Sequence, residues 1–186
     1  MGQARVDKLA ARYDLEVEWR AFELHPGIPP EGQEIPFSPE RRAAGRASFH
    51  RLADEAGLPY GERTHWYDST PAHAAYRWAA ERGQGDALKR KVFEAYFVHD
   101  RNIGSADVLA ELAGEIGLPG DELRAALADG RYLPQVRAEY QEARELGITA
   151  VPTFIAGGYA LVGAHPYENF EKLMAAAGAQ PIAQHL

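Results

Sequence analysis

The hydrophobic period of the sequence changes abruptly near Gly147, and this change restricts the fold more than any other feature. From Pro39 to Leu133 apolar residues recur at spacings of three and four, which is typical of amphipathic helices. After Gly147 come two short β-prone runs, Thr153 to Ala156 and Tyr159 to Val162. Gly157-Gly158 separates them and supplies the positive φ angles of a tight turn. The sequence therefore predicts a helical block followed by a β-hairpin.

The remaining segments complete an α/β order. A first helix is predicted from Gln3 to Tyr13, and Leu15 to Leu24 then alternates apolar and charged residues, which predicts a strand. His25 to Pro39 holds five prolines and two glycines, a composition that excludes a helix. A last helix is predicted from Pro166 to Ala177. The order is helix, strand, helical block, hairpin and helix.

Pro152 stands at the first residue of the first hairpin strand, just after a helix that ends at Gly147. A proline cannot donate to a ladder, so its position at a strand start indicates a shaped turn. An X-Pro bond is cis in only about 5–6% of cases in folded proteins. Physical chemistry alone therefore favours a trans Val151–Pro152 bond.

Two separated motifs change this expectation. The segment Trp19 to Pro26 reads WRAFELHP and is followed by IPPEG at Ile28 to Gly32, while Val-Pro-Thr-Phe begins at Val151. Together with a helical segment from Phe93 to Leu109, this pattern resembles DsbA-family thioredoxin-fold proteins, and in particular their FrnE-like branch. The resemblance covers nearly the whole chain from Gly2 to about Gly178.

The resemblance implies a thioredoxin-like domain, residues 1–38 and 134–186, interrupted by a helical insertion domain, residues 39–133. It also implies that the Val151–Pro152 bond is cis and lines a groove at the amino terminus of the first helix. Ala150, Val151 and Pro152 would then bind the ligand, with the Val151 backbone pairing with an extended thiol-containing peptide or a small thiol.

The family's Cys-x-x-Cys has no counterpart in this sequence, which contains no cysteine at all. By the resemblance, the dithiol and the strand before it would precede Gly2, and we expect the natural protein to begin upstream with both. As given, the chain has no thiolate to attack a disulfide. We therefore predict no catalytic residue and no activity in thiol chemistry.

Composition excludes several other classes of function. The formal net charge of −7 repels phosphate backbones and anionic lipids, so nucleic acid and membranes are not expected partners. The seven histidines are scattered and form no metal-ligand motif, so no metal site is predicted. The amino-terminal residues lack the apolar stretch of a secretory signal, and the cytoplasm is the expected compartment.

The resemblance implies the family role of a thiol–disulfide oxidoreductase, inactive in this cysteine-free sequence, and two alternatives to that role remain open. One is a glutathione-dependent enzyme that resembles 2-hydroxychromene-2-carboxylate isomerase or kappa-class glutathione transferase, relatives that use a serine in place of the dithiol. The other is a non-catalytic module that binds peptides or thiols. Only the first alternative calls for a cofactor, which is glutathione. Whether the chain forms a homodimer is left open for the oxidoreductase role and for both alternatives.

Overall fold

The structure is a computed structural model, and it describes residues 2–182. In this part of the chain there are eight helices and four short strands, with these bounds: α1 Gly2–Ala10, β1 Gln33–Glu34, α2 Pro39–Glu55, β2 His65–Trp66, α3 Thr70–Ala80, α4 Gly85–Phe97, α5 Ala106–Glu115, α6 Gly120–Ala128, α7 Leu133–Glu145, β3 Thr153–Ala156, β4 Tyr159–Val162 and α8 Tyr167–Ala176. None of the helices in residues 2–182 is long and apolar enough to cross a membrane.

The chain forms two compact units. The first unit contains the residues up to Leu24 and those from Ala143 onward, and the second runs from His25 to Glu142. This division follows the compactness of the two units, whereas the resemblance divides the chain into a thioredoxin-like domain and a helical insertion. The domain boundaries that the resemblance implies, after residues 38 and 133, therefore stay a prediction.

The first unit is built around the predicted hairpin. β3 and β4 pair antiparallel from Thr153 opposite Val162 to Ala156 opposite Tyr159, and both turn glycines have positive φ, 55° at Gly157 and 82° at Gly158. One face of the hairpin packs against a core formed by α1 and α8, where Phe154 meets Phe170 edge-on with ring centroids 4.8 Å apart. The buried side chains of this core are Leu9, Tyr167, Phe170, Leu173 and Met174.

The strand predicted from Leu15 to Leu24 is wrong. The backbone from Asp14 to Glu23 has no assigned strand, and the bridge that precedes it joins Tyr13 to Pro181. The alternation describes sidedness only from Glu18 onward, where Trp19 and Ala21 are shielded while Glu18 and Arg20 are exposed; Val17, on the same side as Trp19, exposes 42% of its surface. A strand, however, needs a neighbouring ladder, which period alone does not supply.

The second unit is mainly helical, as its period predicts. Ser105 caps α5, since its Oγ accepts a hydrogen bond from the Val108 amide at 3.5 Å. The largest fully buried side chains of the unit are Trp78, Leu88, Leu109, Leu123 and Val136.

Two details of the second unit differ from the prediction. β1 and β2 form a short antiparallel pair, with Gln33 opposite Trp66 and Glu34 opposite His65, inside segments expected to be loop and helix. Strands of two residues carry no readable period, so the pattern could not indicate them. The spacing of apolar residues in the sequence also predicts that His99 continues the apolar stripe of α4, but that helix ends at Phe97 and His99 is exposed.

Candidate functional site

The segment that the resemblance singles out joins α7 to β3. The chain leaves α7 through Gly147 at φ 70°, a left-handed conformation that glycine adopts without steric cost. Ala150 and Pro152 are half-buried, whereas Val151 between them exposes 46% of its surface. The Val151–Pro152 peptide bond is cis in the structure. A solvent-facing residue thus stands two positions before the start of β3.

Two hydrogen bonds fix this segment. The Thr153 hydroxyl donates to the Ala150 carbonyl at 2.6 Å, and the Gly163 amide donates to the Pro152 carbonyl at 2.7 Å. The backbone amide and carbonyl of Val151 have no hydrogen-bond partner in the described part of the chain. Because its neighbours are held on both sides, the unpaired backbone of Val151 keeps a defined orientation.

The amino terminus of α1 lies against this segment. A Cβ atom added at Gly2 would stand 3.3 Å from Phe154 Cζ and 3.4 Å from Pro152 Cβ, closer than most side-chain contacts. The prediction that Pro152 lies near the start of the first helix is therefore confirmed, while the predicted groove stays a prediction. The first turn of α1 has no acidic residue, so nothing within that turn neutralises the positive end of its dipole.

His165 stands just before Pro166, and from this position the sequence predicts that it caps α8. That expectation is wrong, because the N-cap residue is Pro166 and no side chain caps the helix. Instead the His165 ring bridges two elements, with Nε2 2.8 Å from the Val162 carbonyl and Nδ1 3.2 Å from Asn169 Nδ2. A neutral ring that donates from Nε2 and accepts at Nδ1 satisfies both contacts. His165 is therefore a structural link.

The helix that begins beside Pro152 carries no thiol, no serine hydroxyl and no imidazole. α1 reads GQARVDKLA and contains no serine, cysteine or histidine. Within residues 2–182 no three side chains from His, Asp and Glu converge closely enough to hold a metal ion.

The second unit contains a polar and aromatic cluster around Asp100. Asp100 has a positive φ of 50° and accepts from the Thr64 amide at 2.9 Å, while its own carbonyl accepts from the Tyr67 hydroxyl at 3.1 Å. Burial raises the pKa of Tyr67, and nearby Asp100 adds to this rise. Burial also raises the pKa of Tyr96, where nearby Arg63 acts in the opposite direction. Aspartate is one of the few residues that tolerate positive φ, but no short pattern predicts where it will do so.

Comparisons with known proteins were made for the whole chain. A model of the DSBA-like thioredoxin domain matches residues 1–175. YwbO from Bacillus subtilis (strain 168) is 33% identical over 92% of this chain and 87% of its own length. The crystal structure of the probable DsbA oxidoreductase SCO1869 from Streptomyces coelicolor covers all of this chain and 87% of its own, with 33% identity and a TM-score of 0.85.

Two further solved structures are similar. A 2-hydroxychromene-2-carboxylate isomerase covers 94% of this chain and 86% of its own with a TM-score of 0.73, and at 18% identity it shows a shared fold alone. The cytosolic disulfide reductase DsbM from Pseudomonas aeruginosa, in a structure with glutathione, covers 76% of this chain and 72% of its own, with 25% identity and a TM-score of 0.54. The family model and the 33% identity to YwbO agree with the resemblance seen in the motifs, and the chain belongs to the DSBA-like thioredoxin domain family.

Proposed function

We propose that this chain binds a thiol-bearing ligand, glutathione or a thiol-containing peptide, at Ala150, Val151 and Pro152. In this role it holds the ligand and performs no thiol–disulfide exchange. The family role is that of an oxidoreductase, but a polypeptide without cysteine has no thiolate for the exchange step.

The observation that carries the proposal is the unpaired backbone of Val151. Its amide and carbonyl have no partner in the described residues, and the side chain is 46% exposed beside them. An extended peptide carries the complementary carbonyl and amide and can pair with such a residue as one strand pairs with another. Glutathione, a tripeptide, presents the same groups.

The helix terminus supplies the second contribution. Gly2 begins α1 against Pro152, so the amino-terminal end of the helix, where its dipole is positive, lies close to the residue that follows Val151. Helix amino termini favour carboxylates and thiolates, both of which glutathione can present. The DsbM structure contains glutathione, which supports this ligand class for a related fold.

The isomerase alternative requires a residue that α1 lacks. The enzymes it resembles use a serine where oxidoreductases have the dithiol, and no serine occurs from Gly2 to Ala10. The likeness to the solved isomerase is one of fold, so the binding role is preferred.

We also propose assignment to the FrnE-like branch and to the cytoplasm. The support for the branch is the WRAFELHP and IPPEG segments, which begin at Trp19 and Ile28. The support for the compartment is that DsbM is a cytosolic protein.

The test is a calorimetric titration with reduced glutathione and with S-methylglutathione, on the chain and two variants. Val151→Asp puts a carboxylate beside the proposed ligand, where it repels the carboxylates of glutathione. Two like charges about 4 Å apart in water repel each other by about 1 kcal/mol. We expect affinity to fall about fivefold or more for this variant. Val17→Asp is the matched control, since Val17 is 42% exposed in the same unit, and its affinity should equal that of the parent chain.

Three results would decide against the proposal. These are the absence of heat with either ligand, equal losses in the two variants, and turnover of a disulfide by this cysteine-free chain. Tighter binding of glutathione than of S-methylglutathione would support recognition of the thiol itself.

A further inference from the structure

Arg63 is a half-buried cation that has no carboxylate partner in the described part of the chain. Its Nη1 donates to the Tyr96 hydroxyl at 3.1 Å, and its buried Nε has no hydrogen-bond partner there. Arg82 also lies over an aromatic ring, but it pairs with Glu122 at 3.2 Å. A guanidinium carries five donors in a fork that matches a carboxylate. Arg63 therefore keeps donors for which residues 2–182 supply no acceptor.

Aromatic rings surround the Arg63 guanidinium. Its Cζ lies 5.0 Å from the ring centroid of Phe97, 5.1 Å from that of Tyr96 and 5.9 Å from that of Phe49. Rings within about 6 Å of a cation attract it through their negative faces. Because these rings carry no net charge, they hold the guanidinium in place and leave its positive charge without a counter-ion.

The carboxylates of this region have partners of their own. Glu62, which precedes Arg63 in the sequence, pairs with Arg46. Asp100 accepts from the Thr64 amide at 2.9 Å. Neither carboxylate forms an ion pair with Arg63 among the residues that the structure describes.

The rings beside Arg63 continue into an exposed apolar surface. Phe49 stacks on Tyr60 with ring centroids 5.9 Å apart. Phe93 meets Phe97 edge-on at the same distance. Phe49 and Phe93 each expose 40% of their surface. We call Phe49, Tyr60, Arg63, Phe93 and Phe97 the Arg63 patch, and all five belong to the second unit.

We propose that the Arg63 patch binds a segment of another protein in which an acidic residue stands between aromatic or leucine residues. The carboxylate of that segment accepts hydrogen bonds from the Arg63 guanidinium, and the apolar side chains on either side lie against Phe49 and Phe93. Hydrogen bonds between charged groups are about twice as strong as those between neutral groups. The site shares no residue with the proposed thiol site and needs no thiol group.

The form of the patch favours a protein segment over a small molecule. A small-molecule site encloses about 70–90% of its ligand in a cleft or cavity. Phe49 and Phe93 are instead open to solvent, on a surface that two helices and a loop build together. Aromatic residues and arginine are the types enriched in protein–protein interfaces. The positive charge at the centre selects an acidic segment.

The experiment uses an acetylated and amidated octapeptide, Gln-Ser-Phe-Glu-Phe-Leu-Ser-Gln, and a second peptide that has Gln in place of Glu. Binding is followed by chemical shifts in NMR spectra of the whole chain. We expect shifts at Phe49 and Phe93 with the Glu peptide. We also expect the Glu peptide to bind at least tenfold more tightly than the Gln peptide, a difference of about 1.4 kcal/mol.

Two arginine variants separate the patch from the overall charge of the chain. Arg63→Gln removes the guanidinium of the patch. Arg41→Gln is the matched control, because Arg41 is exposed in the same unit and lies over the single ring of Phe37 at 4.4 Å. We expect Arg63→Gln to bind the two peptides equally and Arg41→Gln to keep the tenfold preference. Since two peptides are compared on one protein, a loss of stability in Arg63→Gln does not create this result.

The pKa of His25 gives a second readout. Burial lowers this pKa most, and the charge of Arg63 lowers it further. A bound carboxylate compensates the charge of Arg63, so the saturating Glu peptide should raise the His25 pKa part of the way toward 6.5. The Gln peptide should leave it unchanged.

Several results would overturn the proposal. Equal affinities of the parent chain for the two peptides would show that Arg63 recognises no carboxylate, and loss of the preference in Arg41→Gln would show an effect of overall charge. Light scattering that finds a dimer, which Arg63→Gln converts to a monomer, would identify a second copy as the occupant. Failure of the protein extended upstream to its natural start to bind either peptide would show that its own chain covers the patch. None of these results bears on glutathione binding, so the two proposals fail separately.

Discussion

Gly61 is a position where a single methyl group should be severely destabilising. A Cβ atom there would lie 1.9 Å from the Val98 carbonyl oxygen and 2.7 Å from its carbonyl carbon, so the two backbones must separate by about 1 Å. That separation also strains the hydrogen bond from the Gly61 amide to the Phe97 carbonyl, 2.9 Å long. Gly61 has no positive φ, and close backbone approach is the reason for glycine.

The expected cost of Gly61→Ala combines these two effects. Overpacking typically costs about 1–3 kcal/mol and a lost hydrogen bond about 0.5–1.5 kcal/mol, so we expect a loss of about 2–4 kcal/mol in the free energy of unfolding. Gly45→Ala is the control, because a Cβ at this exposed position in α2 meets nothing within 4 Å. It should stabilise the chain by about 0.5–1 kcal/mol through helix propensity.

Urea unfolding followed by circular dichroism measures both variants against the parent chain. The reasoning is refuted if Gly61→Ala is as stable as Gly45→Ala, since the carbonyl of Val98 would then not lie where the structure has it.

Two further predictions concern the second unit. The Arg77–Glu139 ion pair is 2.5 Å long, and its two side chains expose 14% and 2% of their surfaces. Arg77→Met should lower the free energy of unfolding by about 3–5 kcal/mol and Glu139→Gln by less, because the carboxylate is the more deeply buried charge. Urea unfolding that gives the reverse order of the two variants contradicts this. Burial, and secondarily Arg63, lowers the pKa of His25, which stacks on Trp66 at 3.9 Å. Because the pKa of His25 is lower in the folded chain, the unfolded chain binds a proton at His25 more readily than the folded chain does. The contribution of His25 to stability is therefore present above pH 6.5, and it is lost as the pH falls through 6.5 toward the lower pKa of the folded chain. An NMR titration should place the His25 pKa below 6.5, and Arg63→Gln should raise it part of the way; a His25 pKa at or above 6.5 in the parent chain contradicts the burial.

The helices and the hairpin could be predicted because their signals are local. The stripe of Val136, Tyr140 and Ala143 is buried as its spacing indicates, and Gly157-Gly158 forms the turn that its residue types favour. The strand expected from Leu15 to Leu24 failed for the opposite reason. Alternation reports which side of an extended segment is covered, whereas a ladder depends on a neighbour that the segment itself does not encode.

The candidate site was only partly readable from the sequence. Val-Pro-Thr-Phe identified the segment around Pro152, and a strand start after a helix-ending glycine is a local feature. The contact of Gly2 with Pro152 and Phe154 joins residues some 150 positions apart in the sequence, which no local pattern reports. The unpaired backbone of Val151 likewise follows from the partners of its neighbours, Thr153 and Gly163, and becomes visible only in the folded chain.

Hydrogen exchange at the Val151 amide, measured with and without saturating reduced glutathione, tests the central claim most directly. This amide has no partner in the described residues, so it should exchange readily in the free chain and markedly more slowly in the complex. Protection at Val151 alongside saturable binding is the predicted result. Saturable glutathione binding that leaves the exchange rate at Val151 unchanged would contradict the account, because the ligand would then be held elsewhere.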